Sequence, residues 1–152
     1  KLSSITEVLQ KNDGIFNYAT NYYFKNPNLG DKIPTISDAD FADFKAFLKR
    51  EKFSFDTETE LALKNTLEKA KKEKIDGAIT AQYEQLMTAI QKSEEALLDK
   101  NQREIKKLIL DEIIKRYQYK EGLYQYYTKN NVEIIKAAAL LANTAEYNKI
   151  LN

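Results

Sequence analysis

The stretch Ser37-Asp-Ala-Asp-Phe-Ala-Asp-Phe-Lys-Ala-Phe-Leu48 is the clearest helical segment of the chain. Its large apolar side chains recur every three or four residues, which is the spacing of one face of an α-helix. Ser37 precedes this face, and serine favours helix starts because its hydroxyl accepts a hydrogen bond from a free backbone amide. The stretch therefore predicts an amphipathic helix that starts at Ser37 and buries Phe41, Phe44, Phe47 and Leu48.

Similar helix starts lie on both sides of this segment. Ser4-Ile-Thr-Glu7 and Thr57-Glu-Thr-Glu60 have the pattern of capping boxes, in which a hydroxyl and a glutamate satisfy free amides at the start of a helix. The whole chain has only four glycines and two prolines, and so few breakers favour long helices over many short strands. We therefore expect an all-α fold of about six or seven helices, without a substantial sheet, in one domain over residues 1–152.

The C-terminal third is predicted to contain one long late helix, from about Lys100 to Thr128, followed by two short ones. The short helices cover Val132–Ala142 and Ala145–Leu151, and Thr144 is the expected cap of the second. Helical spacing predicts that the long helix buries Ile105, Leu108, Ile109, Ile113, Tyr117, Tyr124 and Tyr127. The same reasoning predicts an earlier buried stripe of Ile75, Ala78, Ile79, Tyr83, Leu86, Ile90 and Leu97.

Composition excludes several classes of function. The 24 basic and 23 acidic residues balance, whereas a nucleic-acid-binding protein would carry a basic excess. The longest apolar run, Ala137–Ala142, is far shorter than the roughly 20 residues of a membrane span. No signal peptide is recognisable. Because the chain begins with Lys1 rather than methionine, we expect it to be a processed chain or an excised piece of a longer protein.

The chain lacks the residues of the common catalytic and metal sites. It contains no histidine and no cysteine, which excludes Ser-His-Asp and Cys-His catalysis and leaves only Ser-Lys pairs open. Three of its five serines lie at or beside predicted helix starts, where capping is the simpler interpretation. The acidic group Asp38, Asp40 and Asp43 lacks the glycine and the distal glutamate of a calcium-binding loop. The sequence therefore predicts no catalytic residue, no metal site and no cofactor.

The most unusual feature is a tyrosine-rich segment, Arg116-Tyr-Gln-Tyr-Lys-Glu-Gly-Leu-Tyr-Gln-Tyr-Tyr127. Interleaved tyrosines and basic residues can stack on nucleic-acid bases, but a shared helical face with Ile113 favours core or interface packing. The candidate packing or docking residues are Arg116, Tyr117, Tyr119, Tyr124, Tyr126 and Tyr127. Tyr119 and Tyr126 lie off the predicted buried face, so at least one of them should be more exposed.

Several stretches, taken in order, resemble the C-terminal helical region of bacterial carboxyl-terminal processing peptidases, also called tail-specific serine proteases. Gly14-Ile-Phe-Asn-Tyr-Ala19 is similar to the helix that follows the protease core of that family. The segment from Ile36 through Phe53-Ser-Phe55-Asp is similar to its next aromatic segment. Glu112-Ile-Ile-Lys-Arg-Tyr-Gln-Tyr-Lys-Glu-Gly122 resembles a Glu-Ile, Arg-Tyr, Gly pattern in its late helix, and Tyr147–Leu151 fits its end.

The resemblance implies an accessory region rather than a protease by itself. The serine nucleophile, the lysine base and the PDZ-like module of that family are not recognisable here, so no catalytic residue is transferred to this chain. The implied partners are the rest of a parent protease chain and protein or peptide ligands. The implied location is periplasmic or exported in a Gram-negative bacterium. Access control, assembly and adaptor docking all remain open as roles. The alternative hypothesis is an independent helical protein–protein interaction module without an enzymatic parent.

Overall fold

The structure is a computed structural model that describes residues 2–30, 32–143 and 147–149. The model is 81% helical, and its described residues include no strand, which confirms the predicted all-α class. Residues 147–149 are also helical, whereas the predicted cap Thr144 lies outside the described residues. The longer helices are α1 (Ser4–Lys11), α2 (Gly14–Lys25), α3 (Asp38–Arg50), α4 (Glu58–Glu73), α5 (Asp76–Lys100), α6 (Gln102–Asn130) and α7 (Val132–Ala142).

Two of the predicted helix starts are confirmed by their hydrogen bonds. The Ser37 hydroxyl accepts from the Asp40 amide while the Asp40 carboxylate accepts from the Ser37 amide, which completes a capping box at α3. Thr57 and Glu60 exchange the equivalent pair of bonds at α4. Each box satisfies two amides that have no partner inside the helix.

The predicted capping box at Ser4 is wrong. Ser3 is the N-cap of α1 and makes no side-chain cap hydrogen bond. The carboxylate of Glu104 on α6 accepts instead from the Ser3 amide, the Ser3 hydroxyl and the Thr6 hydroxyl, the last two at 2.8 and 2.7 Å. A group 98 residues away from Thr6 therefore takes the place of the local capping glutamate.

The chain forms two compact units, and α2 and α6 contribute residues to both. The first unit contains the residues up to Tyr18 and Ile36–Ile109. Its aromatic core includes the buried Phe41, Phe44 and Phe47, as predicted. Tyr18 packs edge-on against Phe44 and Phe47, and its hydroxyl donates to the Asp40 carbonyl at 3.0 Å. The second unit contains Ala19–Thr35 and the chain from Leu110 onward, and it buries Ala19, Ile113, Ile114 and Gly122.

The buried stripe of α5 differs from the prediction. Ile75, Ala78, Leu86 and Leu97 are exposed, whereas Glu94 and Leu98 are buried. The face that α5 presents in its unit runs along Tyr83, Met87, Ile90, Glu94 and Leu98, whose spacing of three or four residues is helical. The predicted stripe followed apolar residue types and therefore missed a buried carboxyl.

The long late helix is confirmed, but it contains a sharp break. Tyr119 has φ 59° and ψ −162°, a backbone conformation that is normally restricted to glycine. We refer to residues 102–118 as the first arm of α6 and to residues 120–130 as the second arm. At Gly122, an added β-carbon would lie 2.1 Å from the Gln118 β-carbon, so only glycine fits beside the break.

Candidate docking surfaces

Arg116 is a packing residue that joins α6 to α2. Its Nη1 donates to Glu112 Oε2 at 3.0 Å, and its Nε and Nη2 both donate to the Thr20 hydroxyl, at 3.1 and 2.7 Å. Burial raises the pKa of Glu112, but hydrogen bonds from Lys115 and Arg116 outweigh it and leave this pKa below its usual range. The Arg116 guanidinium is thus fully engaged inside the second unit and is not available for docking.

Tyr117 has a similar packing role at the end of α2. Its hydroxyl donates to the Asn26 carbonyl at 2.6 Å, and its ring lies 4.8 Å from the Tyr23 ring, centre to centre. The side chain is half-buried, and burial raises its pKa. Tyr117 therefore satisfies a carbonyl just beyond the last turn of α2, where helix carbonyls lack partners.

Tyr126 and Tyr127 lie together on the second arm of α6. The Tyr127 hydroxyl donates to the Asp111 carboxylate at 2.7 Å, and burial together with this bond raises the pKa of Tyr127. Tyr126 packs edge-on against Tyr127 and lines a polar cleft of about 370 Å³. Both side chains are half-buried. Tyr127 is therefore less buried than predicted, and Tyr126 is not the exposed tyrosine outside the predicted buried face.

Tyr119 and Tyr124 are the exposed members of the tyrosine group. Tyr119 is 74% exposed, which confirms that at least one tyrosine outside the predicted stripe faces solvent. Tyr124 is 67% exposed, so its predicted burial within this chain is wrong, whereas burial against the core of a parent protease, the other predicted alternative, stays a prediction. The break at Tyr119 explains the error, because helical spacing from Ile113 cannot be extended through a residue with non-helical backbone angles. The six candidates thus divide into three packing residues, a half-buried Tyr126 and two exposed tyrosines.

Helix α7 is an apolar surface that the sequence reasoning did not single out. Nine of its eleven residues are apolar, and none of the eleven is buried. Val132 and Leu141 are 62% and 66% exposed, and Ile134 and Ile135 are also exposed. A helix whose surface is almost entirely apolar normally packs against another protein surface. The sequence signal was present, because the only polar side chains of VEIIKAAALLA, Glu133 and Lys136, share one side of the helix.

The serines and acidic residues do not form an activated nucleophile or a metal site in the described part of the chain. Ser54 donates to Asp56 Oδ1 at 2.7 Å and accepts from the Lys64 ammonium at 3.1 Å. Lys64 is therefore a hydrogen-bond donor to Ser54, whereas the base of a Ser-Lys pair would accept the serine proton. Asp38 accepts from Gln102 and Lys106, which lower its pKa. Among the described residues, no three acidic side chains are grouped to hold a metal ion.

Helix length and polarity also bear on membrane insertion. In the described ranges, no helix combines the length and the apolar character needed to cross a bilayer. Helix α7 is the most apolar segment, but its eleven residues span only about half of a hydrocarbon core.

Comparison with known proteins places these features in a family. No curated protein and no solved structure matches the chain significantly. A family model described as "Probable PDZ-protease, C-terminal helical domain" matches residues 5–141, which is most of the chain. The match includes the helix starts at Ser37 and Thr57, the Glu112–Gly122 motif and nearly all of α7. It agrees with the resemblance noted from the sequence, and this chain therefore belongs to the family of C-terminal helical domains of probable PDZ-proteases.

Proposed function

We propose that this chain is a non-catalytic domain that packs on the catalytic core of its parent protease, with α7 as the main contact. The observation that carries the proposal is that nine of the eleven residues of α7 are apolar and none of the eleven is buried. Contiguous exposed apolar surface of this kind marks interaction sites, since burying it gains about 25 cal/mol per Å².

The core of the parent chain is the best-supported partner for α7 because it is covalently attached. The family description places this helical domain in the same chain as a protease. An attached partner is present at a high effective concentration, so a short apolar helix suffices for stable packing. We further propose a parent that is an exported, periplasmic serine endopeptidase with its serine and lysine outside this chain. The sequence resemblance supports that part of the proposal.

The exposed tyrosines suggest a second contact. Tyr119, at the α6 break, and Tyr124, on the second arm, present large aromatic surfaces to solvent. Exposed tyrosine is enriched at protein interfaces because its ring buries apolar area while its hydroxyl remains hydrated. We propose that these two tyrosines contact a protein or peptide partner of the parent protease. Such a contact could serve either of two regulatory roles of this domain, access control or adaptor docking.

The test compares the same substitutions in the isolated chain and in the full-length parent. The double variant Ile135→Glu, Leu141→Glu should leave the thermal stability of the isolated chain nearly unchanged, since both side chains are already exposed. In the parent, it should lower the midpoint of thermal unfolding and alter peptide hydrolysis. Leu86→Glu is the matched control, because Leu86 is equally exposed but lies on α5. Equal behaviour of both variants in the parent would contradict the proposal.

A further inference from the structure

A cleft of about 620 Å³ lies within the first unit, at the end of α3 and along α4 and α5. Much of its wall is apolar and comes from Leu48, Phe53, Phe55, Met87 and Leu98. The size matches a pocket for one or two side chains of a bound peptide, and pockets of this type combine apolar walls with a few polar groups.

The polar group inside this cleft is the carboxyl of Glu94. Its side chain lines the cleft, the residue is only 7% exposed, and Oε1 has no hydrogen-bond partner among the described residues. A buried acceptor without a donor is costly, about 1–3 kcal/mol, and native structures contain few of them. Glu94 Oε1 is therefore positioned to accept a hydrogen bond from a group that enters the cleft.

A second buried carboxyl, Glu60, lines the same cleft. One of its oxygens accepts from the Thr57 amide and hydroxyl in the capping box. No described lysine or arginine forms an ion pair with Glu60 or Glu94. Burial, reinforced by the charge of Glu60, raises the pKa of Glu94 to about 7. The cleft thus contains two buried carboxyl groups that no described lysine or arginine pairs with.

The lysines around the cleft are largely neutralised by other acids. Lys45 pairs with Asp99, and Lys49 pairs with Glu95. Lys64 donates to Ser54 and Asp56, although it is close enough to Glu94 to lower the pKa of that carboxyl slightly. Lys52 is the fourth lysine of the lining. The two buried charged residues of the lining, Glu60 and Glu94, are both acidic.

We infer that this cleft binds a lysine or arginine side chain of a peptide ligand. The cation donates to Glu94 Oε1, and its aliphatic stem packs against Phe53, Phe55 and Met87. An apolar neighbour in the peptide fills the remaining apolar wall near Leu48 and Leu98. The ligand cation matches the Glu94 carboxylate in charge and in hydrogen bonding, since a buried carboxylate is stabilised only when a hydrogen-bonded cation compensates it. This inference does not depend on α7 or on the identity of the parent protease.

Binding of a cation should be linked to ionisation of Glu94. With a pKa of about 7, the carboxyl is mostly neutral at pH 6 and mostly charged at pH 8. The ligand lysine remains protonated over this range. The affinity should therefore rise about tenfold from pH 6 to pH 8, and binding at pH 7 should release a fraction of a proton.

Isothermal titration calorimetry with the peptide Ac-Gly-Leu-Lys-Leu-Gly-NH₂ tests this inference on the 152-residue chain. The lysine peptide should bind with the stated pH dependence, and the same peptide with norleucine in place of lysine should bind at least tenfold more weakly at pH 8. Equal binding of the two peptides would overturn the inference. So would the absence of binding by the lysine peptide at pH 8, which would indicate that Lys64 or water satisfies the Glu94 carboxyl.

Three variants separate the site from general effects on folding. Glu94→Gln should abolish the pH dependence and weaken binding at pH 8 about tenfold. Glu60→Gln preserves the capping box, because glutamine caps as glutamate does, but should move the pH midpoint of binding to lower pH. Glu84→Gln, at an exposed position on α5, is the control and should change neither property. A pH dependence that persists in Glu94→Gln would overturn the assignment of the site.

Discussion

The hydroxyl of Tyr127 donates to the carboxylate of Asp111 on the same helix α6, at 2.7 Å from both oxygens. In a straight helix, a separation of sixteen residues corresponds to roughly 24 Å along the axis, far beyond the reach of two side chains. The contact therefore requires the second arm of α6 to turn back along the first at Tyr119. Tyr119 lies eight residues from each partner, so the contact joins equivalent positions of the two arms.

Loss of this contact should weaken the fold of the second unit. Tyr127→Phe removes the donor and leaves a half-buried carboxylate with one fewer partner, which should lower the free energy of unfolding by about 1–2 kcal/mol. Urea unfolding followed by circular dichroism measures the change. Tyr124→Phe is the control, because the Tyr124 side chain is exposed and its substitution should change stability by less than about 0.5 kcal/mol.

Glycine at position 119 should stabilise the chain. The backbone at Tyr119 has φ 59° and ψ −162°, and such a conformation costs a non-glycine residue about 1–3 kcal/mol. Glycine relieves this strain at an entropic cost of about 0.5–1 kcal/mol, so Tyr119→Gly should raise the free energy of unfolding by about 1 kcal/mol. Tyr124→Gly, within the regular second arm, should lower it instead. Equal destabilisation by both substitutions would show that position 119 is not strained in solution.

The Glu104 carboxylate should be a main determinant of the docking of α1. Glu104→Ala removes the shared acceptor of the Ser3 amide, the Ser3 hydroxyl and the buried Thr6 hydroxyl, which should cost about 2 kcal/mol of stability. Glu121→Ala, at an exposed position on the same helix, provides the comparison. Hydrogen bonds from Thr6 and Ser3 lower the pKa of Glu104 below 4.5. The contribution of Glu104 to the free energy of unfolding should therefore be present at neutral pH and be lost as the pH falls through the lowered pKa of Glu104.

Glu94 should make the stability depend on pH in the opposite direction. The folded chain retains the Glu94 proton up to about pH 7, whereas the unfolded chain releases it near pH 4.5. The free energy of unfolding should therefore decrease as the pH rises from 4.5 to 7, by about 2–3 kcal/mol from this group. The difference between the native chain and Glu94→Gln isolates the effect, since all other groups titrate in both. A difference that is constant between pH 5 and pH 8 would contradict the raised pKa.

Local sequence patterns were sufficient to predict much of the helical architecture. The three- and four-residue spacing from Phe41 to Leu48 identified the buried face of α3, and the boxes at Ser37 and Thr57 marked two helix starts. These features depend on residues within one or two turns of each other. The Glu112–Gly122 motif was also recognised, and the structure gives it a physical role: Arg116 and Tyr117 bind α2, and Gly122 permits the turn beside Gln118.

The features that were missed depend on contacts between distant residues. Glu104 replaces the expected cap at Ser4 from the other end of its unit. The burial of Tyr124 was predicted from a continuous helix, and nothing in the residue types marks the left-handed backbone at Tyr119. The burial of Glu94 was also missed, because it depends on the packing of α3, α4 and α5 around one cleft. The function of the candidate docking residues remains a prediction.

The turn at Tyr119 also restricts which length changes the chain can accept. Deleting one residue between Asp111 and Tyr119, or between Tyr119 and Tyr127, would rotate one partner of the Tyr127–Asp111 contact by about 100° around its helix axis relative to the break. The Tyr127 hydroxyl would then no longer face the Asp111 carboxylate. Deleting one residue at equivalent positions of both arms would restore neither the orientation of the two side chains nor their contact. Removing whole helical turns from both arms would preserve the orientation and the contact. Among homologous chains, length differences in this helix should therefore occur as matched whole turns or be confined to the segments before Asp111 and after Tyr127.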